Sequence, residues 1–399
     1  MVDAEPFGAL RYDPAVAGTP AATSAPAYDD VGRFDYARHR TASPYTVLEL
    51  LAGEGPDGYR AAGAAYQRWR RTGVLVEDDT PAYYLYEIHE LRGGVPSVLR
   101  GVLAAVAVDE GNLLPHEAVD EQRVTDRLHR LAAVPAELAP VFAVHTAGPP
   151  VLRAVLDAAP TAPPIVAFTD EYGADHRIWA LRGERKTAAV REGLRQVHAV
   201  IADGHHRYAA ARARMPSSAD QARTLTYLVD GAAYGPQLNA VHRLIRPLTE
   251  TALAALETDF VVIGVARGRL LDELAAQPAT AFGLLARGSA SLLVAREPEG
   301  LSRRMPVERT AAWHRLDAAV WDTIVRPTVA PAEVIYRSDV AAATAQVDAS
   351  TDSGLFLLRP ASLADVFACA EAGEPMPAKT TWFRPKPRAG LIMRSLDSS

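Results

Sequence analysis

Apolar positions along the chain switch repeatedly between a period of two and a period near 3.6, which predicts a mixed succession of strands and helices. Tyr59, Ala62, Tyr66 and Trp69 share one helical face and predict a helix over 59–71, ended by Gly73. The runs 82–90 and 95–108 are strand-like and flank Gly93-Gly94, a hairpin signal. A helix is predicted over 123–133, then a strand over 164–168, a turn through Gly173, a strand over 176–181, a helix over 188–196 and an apolar strand over 197–202. The second half repeats the mixture. Strands are predicted at 225–229, 260–265, 281–286, 291–295, 334–336 and 354–358, and helices at 316–325, 340–347 and 363–372. The first forty residues carry Pro6, Pro14, Pro20 and Pro26 without a sustained period and read as an extended arm. The proline-rich stretch 373–390 reads as a loop that packs against something.

This mixture makes the fold class α/β, or α+β mixed. No internal repeat or low-complexity linker marks a boundary. The expected division is a first domain over 1–245 with its N-terminal arm, a second mixed α/β domain over 246–375, and a C-terminal loop and strand over 376–399 that pack near the site.

Composition narrows the function classes. A chain of 399 residues, 23% charged and 49% hydrophobic, has material for two cores. No run approaches the roughly 20 apolar residues that span a bilayer, and residues 1–20 lack the basic start and apolar core of a secretory signal, so a cytoplasmic protein without a membrane partner is expected. A single cysteine, Cys369, excludes an intramolecular disulfide and cysteine-rich metal sites. The formal charge of -6 removes the footprint of a dedicated nucleic-acid binder. The oligomeric state is left open. Of the 42 basic residues only Lys186, Lys379 and Lys386 are lysines, and two of these lie close together near the C-terminus. Lysine is a compact point charge that approaches a phosphate or a reacting oxygen differently from arginine, so lysines kept in an arginine-rich chain are candidates for a specific role.

The sharpest motif is Ile201-Ala202-Asp203-Gly204-His205-His206-Arg207-Tyr208. An apolar strand ends at Asp203, glycine permits a tight turn, and an alanine-rich helix follows, so free amides and the positive helix end point at the turn. His205, His206 and Arg207 add donors for phosphate or carboxylate, and Asp203 can hold a metal ion or accept a proton. Adjacent histidines are not the usual zinc-chelating pair, and no HExxH or CxxC element accompanies them. Pro115-His116-Glu117 places an imidazole and a carboxylate on a loop, either a plain surface loop or a place for a general base. Asn239, His242 and Arg243 fall on a strand, and Asp170 to Arg177 reads mainly as a hairpin. Lys379, Thr380, Thr381 and Lys386 suit nucleotide phosphates, although no GxxxxGK(S/T) loop exists.

At Asp203-Gly204-His205-His206-Arg207 the chain resembles the DGHHR signature of the ParB/sulfiredoxin-like superfamily, in particular its free serine kinase branch, and more widely a large bacterial and archaeal family of unknown function. The resemblance extends to Phe7-Gly8-Ala9-Leu10-Arg11-Tyr12-Asp13, Tyr28-Asp29, Leu114-Pro115-His116-Glu117, the segment 176–179, His242-Arg243, Met376-Pro377-Ala378-Lys379-Thr380-Thr381 and Pro385-Lys386. It implies a ParB/sulfiredoxin-like core joined to a second mixed domain. It also implies a kinase that moves a phosphoryl group from ATP or ADP, with Mg2+, to the hydroxyl of a small free amino acid such as serine. Glu117 then matches the base, with Asp203 and His206 as its catalytic companions and Asp203 as the metal ligand. Gly204, His205, Arg207, Lys379 and Thr380 match the nucleotide-holding positions, and His116, His242 and Arg243 the substrate side. A reductase of the sulfiredoxin kind would need a cysteine near this turn, and Cys369 is far away in sequence. The chain departs from many relatives in reading Gln122-Arg123-Val124-Thr125-Asp126-Arg127 after the Pro-His-Glu motif, where a Gly-Pro-Lys run is expected, and in reading Thr23-Ser24-Ala25-Pro26-Ala27-Tyr28-Asp29. These changes bear on which amino acid is the acceptor. The alternatives are a non-catalytic nucleotide-binding regulatory module and a hydrolase that uses the histidines.

Overall fold

The computed structural model describes residues 1–27, 36–51, 53, 55–92, 94–109, 111–214 and 222–397. The Tyr28-Asp29 element lies outside the described residues. The chain is mixed α/β and divides into two compact units, one of Met1–Leu114, Val119–Pro236 and Pro385–Ser399, the other of Pro115–Ala118 and Gln237–Arg384.

In the first unit, the described residues form an eight-stranded sheet in the order Ala199–Asp203, Val141–His145, Arg223–Asp230, Val95–Ala107, Tyr83–Arg92, Asp175–Leu181 and Val166–Thr169, with Ala4–Glu5 paired to Val95–Ala107. Its pairs are antiparallel except Arg223–Asp230 with Val141–His145. The hairpin expected across Gly94 forms, and Gly94 has φ +84°, a left-handed conformation that glycine adopts without strain. Alternating residues such as Leu85, Val102, Ala143, Ile201 and Leu228 face a core closed by Leu152 and Leu156 of Pro150–Ala158, Val190 and Leu194 of Glu184–Leu194, and Tyr208 of His205–Ala213. A second core lies under a four-stranded sheet ordered Leu75–Glu77, Ala9–Tyr12, Met393–Ser395 and Ala136–Glu137. The helix Gly55–Arg71 seals it with Tyr66 and Trp69, on the face expected from the sequence.

The second unit is built on a six-stranded antiparallel sheet ordered Phe260–Gly264, Ser289–Ala295, Ala281–Ala286, Gly354–Leu357, His242–Arg246 and Glu333–Arg337. Leu270 and Leu274 of one helix and Ala343 and Val347 of another pack on Leu244, Leu285, Leu292 and Leu355.

Three expectations are corrected. The N-terminal segment is not a free arm: Ala4–Glu5 and Ala9–Tyr12 enter two sheets, and Pro14 and Pro20 start the short helices Pro14–Ala17 and Pro20–Thr23, where proline's missing N–H costs nothing. Apart from Pro115–Ala118, the second unit runs from Gln237 rather than from near residue 246, because His242–Arg246 is an inner strand of its sheet. The segment after residue 375 is divided as well: Trp382–Arg384 pairs with Gln237–Asn239 in the second unit, and Pro385–Ser399 belongs to the first. The strand Val141–His145 was not expected, although its five buried residues form a continuous apolar run ending in histidine.

Candidate functional site

The expected site residues fall in both units. Asp203, Gly204, His205, His206 and Arg207 are in the first, and His116, Glu117, His242, Arg243, Lys379 and Thr380 in the second.

In the first unit the buried strand Ala199–Asp203 delivers Asp203 to a turn. Gly204 has φ +95° and caps the helix His205–Ala213, and the Tyr208 amide donates to its carbonyl at 2.9 Å. A Cβ on Gly204 would sit 2.8 Å from Nε and Nη2 of Arg207, so glycine here gives both the left-handed turn and the room for Arg207 to fold back. Arg207 Nη2 reaches Asp203 Oδ2 at 2.5 Å. Lys386 Nζ, in the C-terminal segment, reaches Oδ1 at 2.5 Å with its side chain only 6% exposed. One carboxylate thus carries a cation on each oxygen at a helix N-terminus. Such a turn favours an anion. Lys386 was a phosphate candidate in the sequence; its pairing with Asp203 was not expected.

His206 Nε2 accepts the Asp120 amide at 3.1 Å, which fixes its tautomer with the proton on Nδ1, and Asp120 in turn caps the helix Glu121–Ala133. His205 is buried. Arg207 also lines a pocket of about 820 Å³, open mouth included, with Arg127, Arg130, Leu131, Val134 and Leu138. Arg127 and Arg130 both bind Asp126, at 2.8 and 2.9 Å. Burial works to raise the Asp126 pKa, but hydrogen bonds from Arg130 and Tyr59 outweigh it and hold the carboxyl below its ordinary range. The pocket therefore joins apolar walls to three guanidinium groups.

Both Asp203 oxygens are engaged by cations, and among the described residues no three His, Cys, Asp or Glu side chains cluster to hold a metal, so Asp203 would have to release Arg207 or Lys386 to bind magnesium.

In the second unit, His116 is fully buried: Nε2 lies 3.0 Å from Thr381 Oγ1, its carbonyl accepts the Met376 amide at 2.8 Å, and its ring meets Phe383 edge-on. It anchors the segment that carries the half-buried Glu117. His242 Nδ1 accepts the Leu358 amide at 3.2 Å; burial, then the Arg243 charge, push its imidazole down to about 4. Arg243 is fully buried over the Tyr336 ring and donates to the carbonyls of Val241, Lys379 and Ala378. It pins the turn where Lys379 adopts φ +57°, leaving the Lys379 side chain exposed. Thr380 is buried and donates to Pro377 O at 2.6 Å. His116, His242, Arg243 and Thr380 are thus engaged in architecture, while Glu117 and Lys379 reach solvent.

The segment 170–177 is a hairpin, as expected, built around a buried His176 between Asp170 and Tyr86. Cys369 is buried in the helix Leu363–Glu371, and burial pushes its thiol up to about 11, an unreactive state at neutral pH.

The match that decides the family runs over residues 4–319. The chain belongs to the family of proteins of unknown function DUF1015. Asp203, Glu117 and Arg243 lie inside the family match, whereas Lys379 and Lys386 lie beyond it. No curated protein matches the chain. Among solved structures, it is similar to a conserved hypothetical protein from Pyrococcus furiosus, with 13% identity and TM-score 0.38 over 74% of this chain and 96% of that one. It is also similar to a free serine kinase in complex with AMP, with 12% identity and TM-score 0.40 over 74% and 91% of the two chains. The C-terminally truncated SbnI from Staphylococcus aureus gives 11% identity and TM-score 0.40 over 74% and 90%. Among the described residues no helix is long and apolar enough to cross a membrane.

Proposed function

We propose that this protein is a phosphotransferase that uses ATP or ADP to phosphorylate the hydroxyl of a small free amino acid, on a ParB/sulfiredoxin-like core. The observation that carries the reading is Arg207, which both binds Asp203 at the helix N-terminus and lines the pocket with Arg127 and Arg130. An anionic group held at the Gly204 turn and an apolar ring against Leu131 and Val134 together describe a nucleotide. In this reading Gly204 and the first amides of the His205–Ala213 helix hold the phosphates. Arg207 and Lys386 offset the charge of the transferring group. His205 and His206 shape the turn, and His206 holds the Asp120 end of the neighbouring helix. Glu117 takes the acceptor's hydroxyl proton as the new oxygen–phosphorus bond forms and the bond to the nucleotide's bridging oxygen breaks. Catalysis of this kind is mostly positioning and charge neutralisation.

The test is a phosphorus NMR and mass-spectrometric screen of the full chain with ATP or ADP, with and without magnesium, against serine, threonine, homoserine and related hydroxy amino acids. A new phosphomonoester in one reaction is the expected result. A second reading rests on the same helix end: its free amides and the Arg207 guanidinium can hold a nucleotide's phosphates whether or not transfer follows. A nucleotide-binding regulatory module would leave every nucleotide intact in the same screen.

A further inference from the structure

The second unit holds a cavity of its own, about 900 Å³ with its open mouth, whose charged lining is two arginine–aspartate pairs, beside the hydroxyls of Thr280, Ser362 and Thr380. The two pairs differ in how firmly they are held. Asp317 takes Arg359 Nε at 3.0 Å, Nη2 at 2.6 Å and the Arg359 amide at 2.8 Å, while Arg359 Nη1 donates to the carbonyls of Gln277 and Ala279. That pair is saturated and buried, with Asp317 only 4% exposed, and forms a fixed floor. Arg315 instead meets Asp365 through Nε at 3.1 Å and Nη2 at 2.6 Å, both on Oδ1, with its own side chain 62% exposed. Asp365 is fixed independently: its Oδ2 accepts the Ser362 hydroxyl at 2.5 Å and its amide donates back to Ser362 Oγ at 3.0 Å, at the start of the helix Leu363–Glu371. With Arg315 largely exposed and Asp365 only 15% exposed, Arg315 is the partner that can swing out while Asp365 stays.

The charges choose the ligand. The four groups sum to zero, so neither an anion nor a cation is favoured by the lining as a whole. An anion that took Arg315 would strand Asp365 beside it, and a cation that took Asp365 would release Arg315 without a partner. A ligand carrying both charges a few bonds apart replaces both halves of the pair at once. We infer that this cavity binds a small zwitterion of the free α-amino acid class, its carboxylate on Arg315 and its ammonium on Asp365, with the side chain against Leu316, Pro360 and Ala361. The inference does not rest on the phosphotransfer reading, since an amino acid without a hydroxyl can bind here and cannot be phosphorylated.

The experiment is calorimetry on the full chain with each common α-amino acid in turn, and with acetate and methylammonium as the separated charges. At least one amino acid without a side-chain hydroxyl binds, and acetate and methylammonium bind at least about tenfold more weakly. Arg315→Gln and Asp365→Asn each weaken that amino acid by about tenfold or more, with the melting temperature of the protein preserved. Absence of binding by every amino acid up to about 10 mM overturns the inference, as does equal binding of acetate. Unchanged affinity in both variants places the ligand elsewhere and overturns it too. Phosphorylation of serine without this binding would leave the kinase reading standing and the zwitterion site refuted.

Discussion

Asp203 and Arg243 are opposite solutions to one electrostatic problem. At Asp203, one carboxylate of the first unit carries two cations, and its side chain remains 11% exposed beside a glycine turn and a pocket. At Arg243, one guanidinium of the second unit is fully buried, is held by three backbone carbonyls and the Tyr336 ring, and leaves its Nε without a partner. Burial lowers its pKa to about 10, and the nearby Asp322, also pushed by burial, has its pKa raised. The difference teaches that charge alone does not mark a site. An ion pair at a partly exposed helix end leaves its cations within reach of a pocket, whereas a sealed arginine holds a loop in shape.

Four substitutions sharpen or break this contrast, the largest effect first. Glu117→Gln lowers turnover by about two to four powers of ten, the usual worth of a positioned general base, while nucleotide binding stays as in the parent. Steady-state kinetics beside calorimetry reads both, and parental turnover would remove Glu117 from the mechanism. Arg243→Met costs roughly 2–5 kcal/mol in urea unfolding, because the Lys379 turn loses its clamp and Asp322 loses one of the two arginine charges that favour its ionised form. A loss below about 0.5 kcal/mol would show that the turn holds without the guanidinium.

The third prediction concerns acid. His242 is neutral in the folded chain down to about pH 4, whereas the unfolded chain protonates near its ordinary value of 6.5. The unfolded state therefore binds the proton first. The stabilisation is complete above pH 6.5 and is lost as pH falls toward 4, by up to about 3 kcal/mol. Asn at position 242 keeps an acceptor for the Leu358 amide and does not titrate, so His242→Asn flattens the slope between these pH values. His145 and His176, also lowered by burial, leave a residual slope of the same sign. An identical slope in parent and variant would contradict the assignment. The smallest effect belongs to Gly204→Ala, about 1–2 kcal/mol from the left-handed backbone, accompanied by displacement of Arg207.

Much of the architecture was legible because its signals are local. Tyr66 and Trp69 marked the face of a helix, Gly94 a hairpin, and Asp203-Gly204-His205 a strand running into a helix through a turn. What escaped was distant in sequence. Lys386 reaches Asp203 across 183 residues and Thr381 reaches His116 across 265, and no periodicity records such a pairing. His242 and Arg243 carried the right chemistry for a substrate site, but burial, which a strand pattern only half reveals, gave them structural work. The run of the second unit from Gln237 was hidden for a similar reason: a strand pattern does not say which sheet a strand joins.

The central claim is that the turn around Asp203 holds the phosphates of a nucleotide. Calorimetric titration of ATP and ADP into the full chain and into Lys386→Met tests it most directly. The parent binds nucleotide, and the variant, lower in melting temperature but fully folded at the temperature of titration, binds it at least about tenfold more weakly. Equal affinity in the two proteins, or no nucleotide binding by the parent, would contradict the account.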